Sequence, residues 1–159
     1  MSDSWESFAT VLDEEAAALR RVHDAAIRLT AALVGNSAQE IGLAERGLDG
    51  ARRAFASSSV KRRGMQARGF GKMTLRQVCA YAPRRLALTF NQRVYELTTL
   101  SIGLRISGDN NKALIASGLD RLMKVTSTLQ QAASEGPKTY KRRGFVPPPT
   151  NSVLVSSRA

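Results

Sequence analysis

The chain has 159 residues, of which 43% are hydrophobic and only 6% aromatic, a composition that favours packed helices over a β-sandwich. Its single cysteine, Cys79, excludes an intramolecular disulfide and a cysteine-rich zinc site, and we expect it to be buried. The net charge is +11, yet residues 1–50 carry 9 acidic and 4 basic side chains whereas residues 51–159 carry 4 and 20. This asymmetry predicts either that the acidic segment packs beside the basic one, or that the chain binds nucleic acid, an anionic membrane surface or an acidic partner.

Apolar residues recur every three or four positions in the first part of the chain, which predicts two amphipathic helices over about residues 4–34 and 37–66. Gly35 can end the first helix or only kink it, and Ser37 can cap the second. The segment Arg68–Gly71 reads as a loop because glycines cluster there. The two apolar rows are Trp5, Phe8, Leu12, Ala16, Leu19, Val22, Ala26, Leu29 and Leu33, and then Ile41, Ala44, Leu48, Ala51 and Phe55.

The second part of the chain predicts a short helix over about 74–81 and a long one over about 84–133. Thr74 is a suitable N-cap, and Pro83 suits the first turn of the last helix. The long helix keeps a step of four and three residues from Phe90 to Ala132, as in a coiled-coil seam. Small or polar residues in the middle of that seam indicate either a close helix approach or a break near Gly108, and the unbroken register favours continuity. These residues are Ser101, Gly108, Asn111 and Gly118.

The predicted fold is therefore all-α: a long antiparallel, coiled-coil-like helical hairpin with a short middle helix. We expect one helical domain over residues 1–135 and a disordered, basic, proline-rich tail over 136–159. There is no signal-peptide pattern and no apolar run of the roughly 20 residues that a membrane span needs, so we expect a cytoplasmic protein without membrane insertion.

The sequence contains no recognisable arrangement of catalytic side chains. His23 is the only histidine and lies among charged neighbours, and the glycines at 64, 69 and 71 do not have the spacing of a phosphate-binding loop. We therefore expect no enzyme activity, no metal and no cofactor. The basic clusters 61–63 and 141–143, with 11 basic residues in 52–93, leave a nucleic-acid or polyanion-binding protein as one alternative. A self-associating coiled-coil adaptor that pairs through Phe90 to Leu104 is the other.

Helix surfaces then carry the expected function. The second half of the last helix has more apolar residues than one narrow seam uses, so some of them can face a partner helix. The other interpretation is that all of them are buried in the hairpin or in a homodimer. The residues in question are Leu114, Ile115, Leu119, Leu122, Met123, Val125 and Leu129.

The order of four segments resembles the FlgN-like flagellar export chaperones over about residues 5–145. They are Leu33-Val34-Gly35-Asn36, Met73-Thr74-Leu75-Arg76-Gln77-Val78, Asn111-Lys112-Ala113-Leu114-Ile115 and Thr139-Tyr140-Lys141-Arg142-Arg143-Gly144. The sequence departs from the family pattern at Gly108, where a second asparagine is usual, and in its strongly basic charge.

The resemblance implies a cytosolic chaperone, a monomer or a homodimer, that masks the disordered end of a hook–filament junction protein. It further implies that the chaperone delivers this client to the flagellar export gate, with Tyr140 as a weaker candidate for contact with the export machinery. The client-binding residues that it implies are Asn111, Leu114, Ile115, Leu119, Leu122, Met123 and Leu129.

Overall fold

The computed structural model describes residues 2–134, and the secondary structure in this range consists of four helices without a strand. The helices are α1 (Ser2–Gly35), α2 (Ala38–Phe70), α3 (Leu75–Ala80) and α4 (Arg84–Ser134). The predicted all-α class and the order of three long helices and one short one are confirmed. The predicted disordered tail over 136–159 lies outside the described residues.

Helices α1 and α2 form the predicted antiparallel hairpin. Gly35 is the last residue of α1, and Asn36 follows with a positive φ of 52°, so the break is a turn and not a kink. Ser37 caps α2, and its hydroxyl accepts a hydrogen bond from the Glu40 N–H at 3.4 Å. One core lies between these helices, and its buried members are Val22, Ala26, Leu29 and Leu48.

The end of α2 differs from the sequence-based expectation. The helix continues to Phe70 through the segment that reads as a loop, and Gly71 ends it with a φ of 64°. The Phe70 ring packs 4.6 Å from the Trp5 ring and 5.2 Å from the Phe8 ring, measured between centroids. This aromatic contact outweighs the weak helix propensity of the glycines around it, because tertiary packing overrides propensity.

Helix α3 begins at a capping box in which the Thr74 side chain accepts from the Gln77 N–H and the Gln77 side chain accepts from the Thr74 N–H. Its inner face joins the second core, which we call the aromatic core. Cys79 is a buried member of this core, as expected from the sequence. The buried members of the aromatic core are Phe8, Leu12, Val78, Cys79 and Phe90.

Helix α4 runs parallel to α1, since contacts between the two advance in the same direction along both. Phe8 stacks on Phe90 with centroids 5.9 Å apart, Asp13 pairs with Arg93 at 2.5 Å, and the Ala26 carbonyl accepts from Asn111 at 3.4 Å. The helix is continuous through Gly108, as the unbroken register favoured.

Ion pairs join the acidic first helix to the basic part of the chain, which confirms the packing interpretation of the charge asymmetry. Glu15 and Arg62 form the buried pair, with side chains 3% and 15% exposed and an N–O distance of 2.7 Å. More exposed contacts of the same polarity join Glu14 to Lys61, Glu6 to Arg85 and Asp13 to Arg93. The pair of Arg20 with Glu96 has the opposite polarity, with the base on α1.

The chain divides into two compact units, Met1–Asp120 and Arg121–Ala159. The first unit contains both cores, and the second contributes the described end of α4 from Arg121 to Ser134. The domain boundary predicted at 135/136 stays a prediction.

Candidate functional surface on the last helix

The first part of α4 uses its apolar seam to pack inside the first unit. Phe90 is fully buried in the aromatic core, Val94 and Leu97 pack against that core, and Leu104 packs against the core between α1 and α2. The seam from Phe90 to Leu104, considered above for self-association, is therefore occupied by contacts within the chain.

Asn111 is a buried member of this seam and does not belong to an accessible surface. The residue is only 6% exposed, and its Oδ1 accepts a hydrogen bond from the Thr30 hydroxyl at 2.8 Å. Its Nδ2 donates to the Ala26 carbonyl at 3.4 Å. The oxygen and the nitrogen of the Asn111 side-chain amide thus both have hydrogen-bond partners on α1. The expected client-binding role of Asn111 is therefore corrected: this residue makes a structural contact between α1 and α4.

Beyond Asn111, the apolar residues of α4 that belong to the first unit lose their cover. Leu114 is half-buried, whereas Ile115 is 44% exposed and Leu119 is 57% exposed. Ile115 and Leu119 are four residues apart, so they lie on one face of the helix. Single exposed apolar residues are common on proteins, but neighbouring large ones indicate an interaction surface.

In the second unit every described residue is exposed. Its apolar residues cluster on one side of α4, because positions 122, 125 and 129 are separated by three and four residues. Met123 lies beside them and is the most exposed of the group at 72%. The exposed fractions of Leu122, Val125 and Leu129 are 64%, 56% and 65%. The term "α4 end row" below means Leu122, Met123, Val125 and Leu129.

The glycines of α4 have two different environments. A Cβ atom placed on Gly103 would lie 2.8 Å from Nε2 of His23, so the His23 side chain of α1 occupies the space beside this glycine. Cβ atoms placed on Gly108 or Gly118 would meet nothing within 4 Å. The close helix approach considered from the sequence does not occur at Gly108 or Gly118, because the space beside both is open.

Sequence reasoning missed a second exposed apolar row on α4. Its members are separated by seven, seven and four residues, a heptad spacing that could have revealed it. It lies on the side of α4 away from Phe90, and all of its members are more than half exposed. The residues are Leu88, Tyr95, Ile102 and Ile106.

The electrostatics of the α1–α4 contact centre on Glu96. Burial raises the pKa of its carboxyl group, but hydrogen bonds from Arg20 and Arg93 outweigh burial, so the net pKa lies below the ordinary value. Hydrogen bonds to Asp13 and Glu96 raise the pKa of the Arg93 guanidinium. Elsewhere in the first unit, burial raises the pKa of the Cys79 thiol, although the charge of Arg62 acts against it. The ionised contacts of Glu96 and Arg93 fix α4 against α1.

The remaining features considered from the sequence are metal sites, membrane spans and the residues after 134. Residues 2–134 contain no group of three or more His, Cys, Asp and Glu side chains placed to hold a metal ion. Within the same range, no helix has a long enough apolar stretch to cross a bilayer. Tyr140 and the basic cluster 141–143 lie outside the described residues. Comparisons with protein-family models, with curated proteins and with solved structures gave no match.

Proposed function

We propose that the chain is a non-enzymatic export chaperone of the flagellar kind, which acts in the cytoplasm. It binds the disordered terminal segment of a hook–filament junction protein, prevents that segment from assembling early and delivers it to the export gate. The single observation that carries the proposal is the exposed apolar surface of α4 after Asn111, in the part of the sequence that resembles the client-binding segment of the FlgN-like chaperones.

An exposed apolar row on a helix suits a client that becomes helical when it binds. A client helix would place residues at its own three- and four-residue spacing onto the row, and affinity would come from the apolar area removed from water. In the α4 end row, Met123 adds a flexible and polarisable side chain that can fit more than one client side chain.

Masking and release need no chemical step, which accords with a sequence that contains no recognisable catalytic arrangement. A disordered client loses conformational entropy when it becomes ordered, and this loss keeps the affinity moderate for a given contact area. Moderate affinity suits a chaperone that must give up its client at the export gate.

The experiment begins with a pull-down by the tagged chain from native cytosol at moderate salt, read by mass spectrometry. A junction protein recovered in near-stoichiometric amount is then purified, and its dissociation constant is measured by calorimetry. Recovery of only nucleic acid and ribosomal proteins would contradict the proposal.

Two substitutions then test the two exposed groups separately, each with a control that adds the same charge on the opposite side of the helix. Leu119→Asp is compared with Ser117→Asp, and Leu122→Asp with Gln131→Asp. We expect each leucine variant to weaken client binding at least tenfold, each control to bind normally, and all four to keep their helical circular dichroism. Normal binding by both leucine variants would mean that the client uses another surface.

A further inference from the structure

The basic residues of the chain are only partly neutralised by its own carboxylates. No acidic residue occurs between Asp49 and Glu96, a stretch that contains the 11 basic residues of 52–93. Five of the eleven form ion pairs: Arg53, Lys61, Arg62, Arg85 and Arg93. Among the described residues, the other six make no ion pair: Arg52, Arg63, Arg68, Lys72, Arg76 and Arg84.

Five of these six belong to one end of the first unit. At this end α2 finishes, α3 packs across the aromatic core and α4 begins, and contacts of Phe70 with Trp5 and of Arg85 with Glu6 hold the elements together. The five side chains are all in exposed residues. We call this group the basic end, and it consists of Arg63, Arg68, Lys72, Arg76 and Arg84.

Exposed apolar side chains occur beside the basic end, on the two turns that flank α3. Met73 follows Lys72 in the first turn and is 41% exposed, and Tyr81 in the second turn is 71% exposed. Met73 is next to Lys72 in the chain, and Tyr81 is three residues before Arg84. An exposed tyrosine ring and a flexible methionine close in sequence to cations form the combination that favours the headgroup region of a bilayer.

We propose that the basic end binds peripherally to a membrane surface rich in anionic lipid headgroups, with Met73 and Tyr81 entering the headgroup layer. Phosphate groups would also attract these cations in a nucleic acid, but single-strand binding uses successive exposed aromatic rings as stacking platforms. Of the other rings at this end, Trp5 and Phe70 pack against the aromatic core and Phe8 and Phe90 are buried in it, so none is free to stack. The arrangement therefore favours the lipid surface.

The charge contribution can be expressed as a change in affinity. Each lysine or arginine close to an anionic membrane strengthens binding about fivefold, and the effect falls off within a Debye length. Neutralising three residues of the basic end should therefore weaken binding about 100-fold. Neutralising three exposed cations elsewhere should weaken it much less.

The experiment measures binding of the full chain to vesicles of phosphatidylcholine alone, and of phosphatidylcholine mixed with phosphatidylglycerol, by co-sedimentation. The test variant combines Lys72→Gln, Arg76→Gln and Arg84→Gln. The matched control, with the same change in net charge, combines Arg52→Gln, Arg105→Gln and Lys112→Gln, all at exposed positions without an ion pair among the described residues. Circular dichroism checks that both fold.

We expect salt-sensitive binding to the anionic vesicles only, a loss of about 100-fold in the test variant and a small loss in the control. A second variant, Met73→Ser with Tyr81→Ser, keeps the charge and should also bind more weakly. Equal losses in the two triple variants would overturn the proposal, because net charge alone would then explain binding. Absence of vesicle binding would overturn it as well, as would binding to duplex DNA through the same three residues without binding to vesicles.

Membrane binding by this end and client binding by α4 use different residues. The Leu122→Asp variant should bind anionic vesicles normally, and the triple variant of the basic end should bind the client normally. The failure of either proposal is therefore distinguishable from the failure of the other.

Discussion

Two adjacent glutamates on α1 offer a sharp test of what burial does to an ion pair. Glu15 and Arg62 are 3% and 15% exposed, and the carboxylate accepts two hydrogen bonds from the guanidinium, at 2.7 Å and 3.3 Å. Glu14 and Lys61 also stand close, at 2.6 Å, but their side chains are 45% and 57% exposed. The two pairs thus have similar shortest N–O distances and opposite environments.

We expect Glu15→Ala to lower the free energy of unfolding by about 3 kcal/mol, since removing one partner of a buried pair leaves the other charge uncompensated. The value is at the low end of the usual range because Arg62 keeps a hydrogen bond to Gln66 at 2.7 Å. Glu14→Ala should cost about 0–1 kcal/mol, as is typical of exposed pairs. Both changes replace glutamate by alanine inside a helix, so the effect of helix propensity cancels in the comparison.

Urea unfolding at neutral pH, followed by the helical circular dichroism signal, gives both free energies. A double variant, Glu15→Met with Arg62→Met, should recover most of the stability that Glu15→Ala loses, because well-packed apolar residues replace a buried pair at little cost. Equal losses for Glu14→Ala and Glu15→Ala would refute this reasoning and would mean that solvent reaches Arg62 freely.

Three further predictions concern α4. Phe90→Ala should lower the free energy of unfolding by about 3–5 kcal/mol in the same urea assay. Leu88→Ala, two residues away at a 70% exposed position, should lower it by less than about 0.5 kcal/mol. Gly108→Ala should stabilise the fold by about 1 kcal/mol, because the new methyl group meets nothing. Gly103→Ala should stabilise it less, because the His23 ring faces that position. Equal thermal midpoints of the two variants would contradict this prediction. Because the pKa of Glu96 is lowered in the folded state, its contribution to stability is present above its unfolded pKa of about 4.3 and is lost as the pH falls through the folded value. The stability difference between wild type and Glu96→Gln should therefore shrink on acidification, and a constant difference across that range would contradict the assignment.

The helices were largely predictable because their signals are local. Caps at Ser37 and Thr74, the turn after Gly35 and the proline at position 83 place the helix starts within two residues of those in the structure. The end of α2 was not predictable in this way. Glycines signal a loop there, whereas the contact of Phe70 with rings on α1, more than 60 positions earlier in the chain, favours a helical last turn.

Which residues are accessible was less predictable than where the helices lie. A heptad pattern indicates which residues share a face, but not whether another helix covers that face. Asn111 shows the difficulty. The resemblance to the FlgN-like chaperones implied a client-binding residue there, whereas the burial of Asn111 depends on its contacts with Thr30 and Ala26 of α1. The exposed row that begins at Leu88 was missed because attention to the heptad seam from Phe90 left the other apolar residues of that stretch without an assigned role.

The length of α1 explains where exposure begins in the first unit. The two helices run parallel with a nearly constant offset of about 80 residues, from Phe8 with Phe90 to Thr30 with Asn111. Since α1 ends at Gly35, it has no residue left to contact Leu119. The seam of α4 is thus one continuous pattern whose first part is core and whose next part is surface, and the change is set by a turn at the end of a different helix. Moving that turn by one heptad should therefore move the boundary between buried and exposed residues along α4 by the same distance.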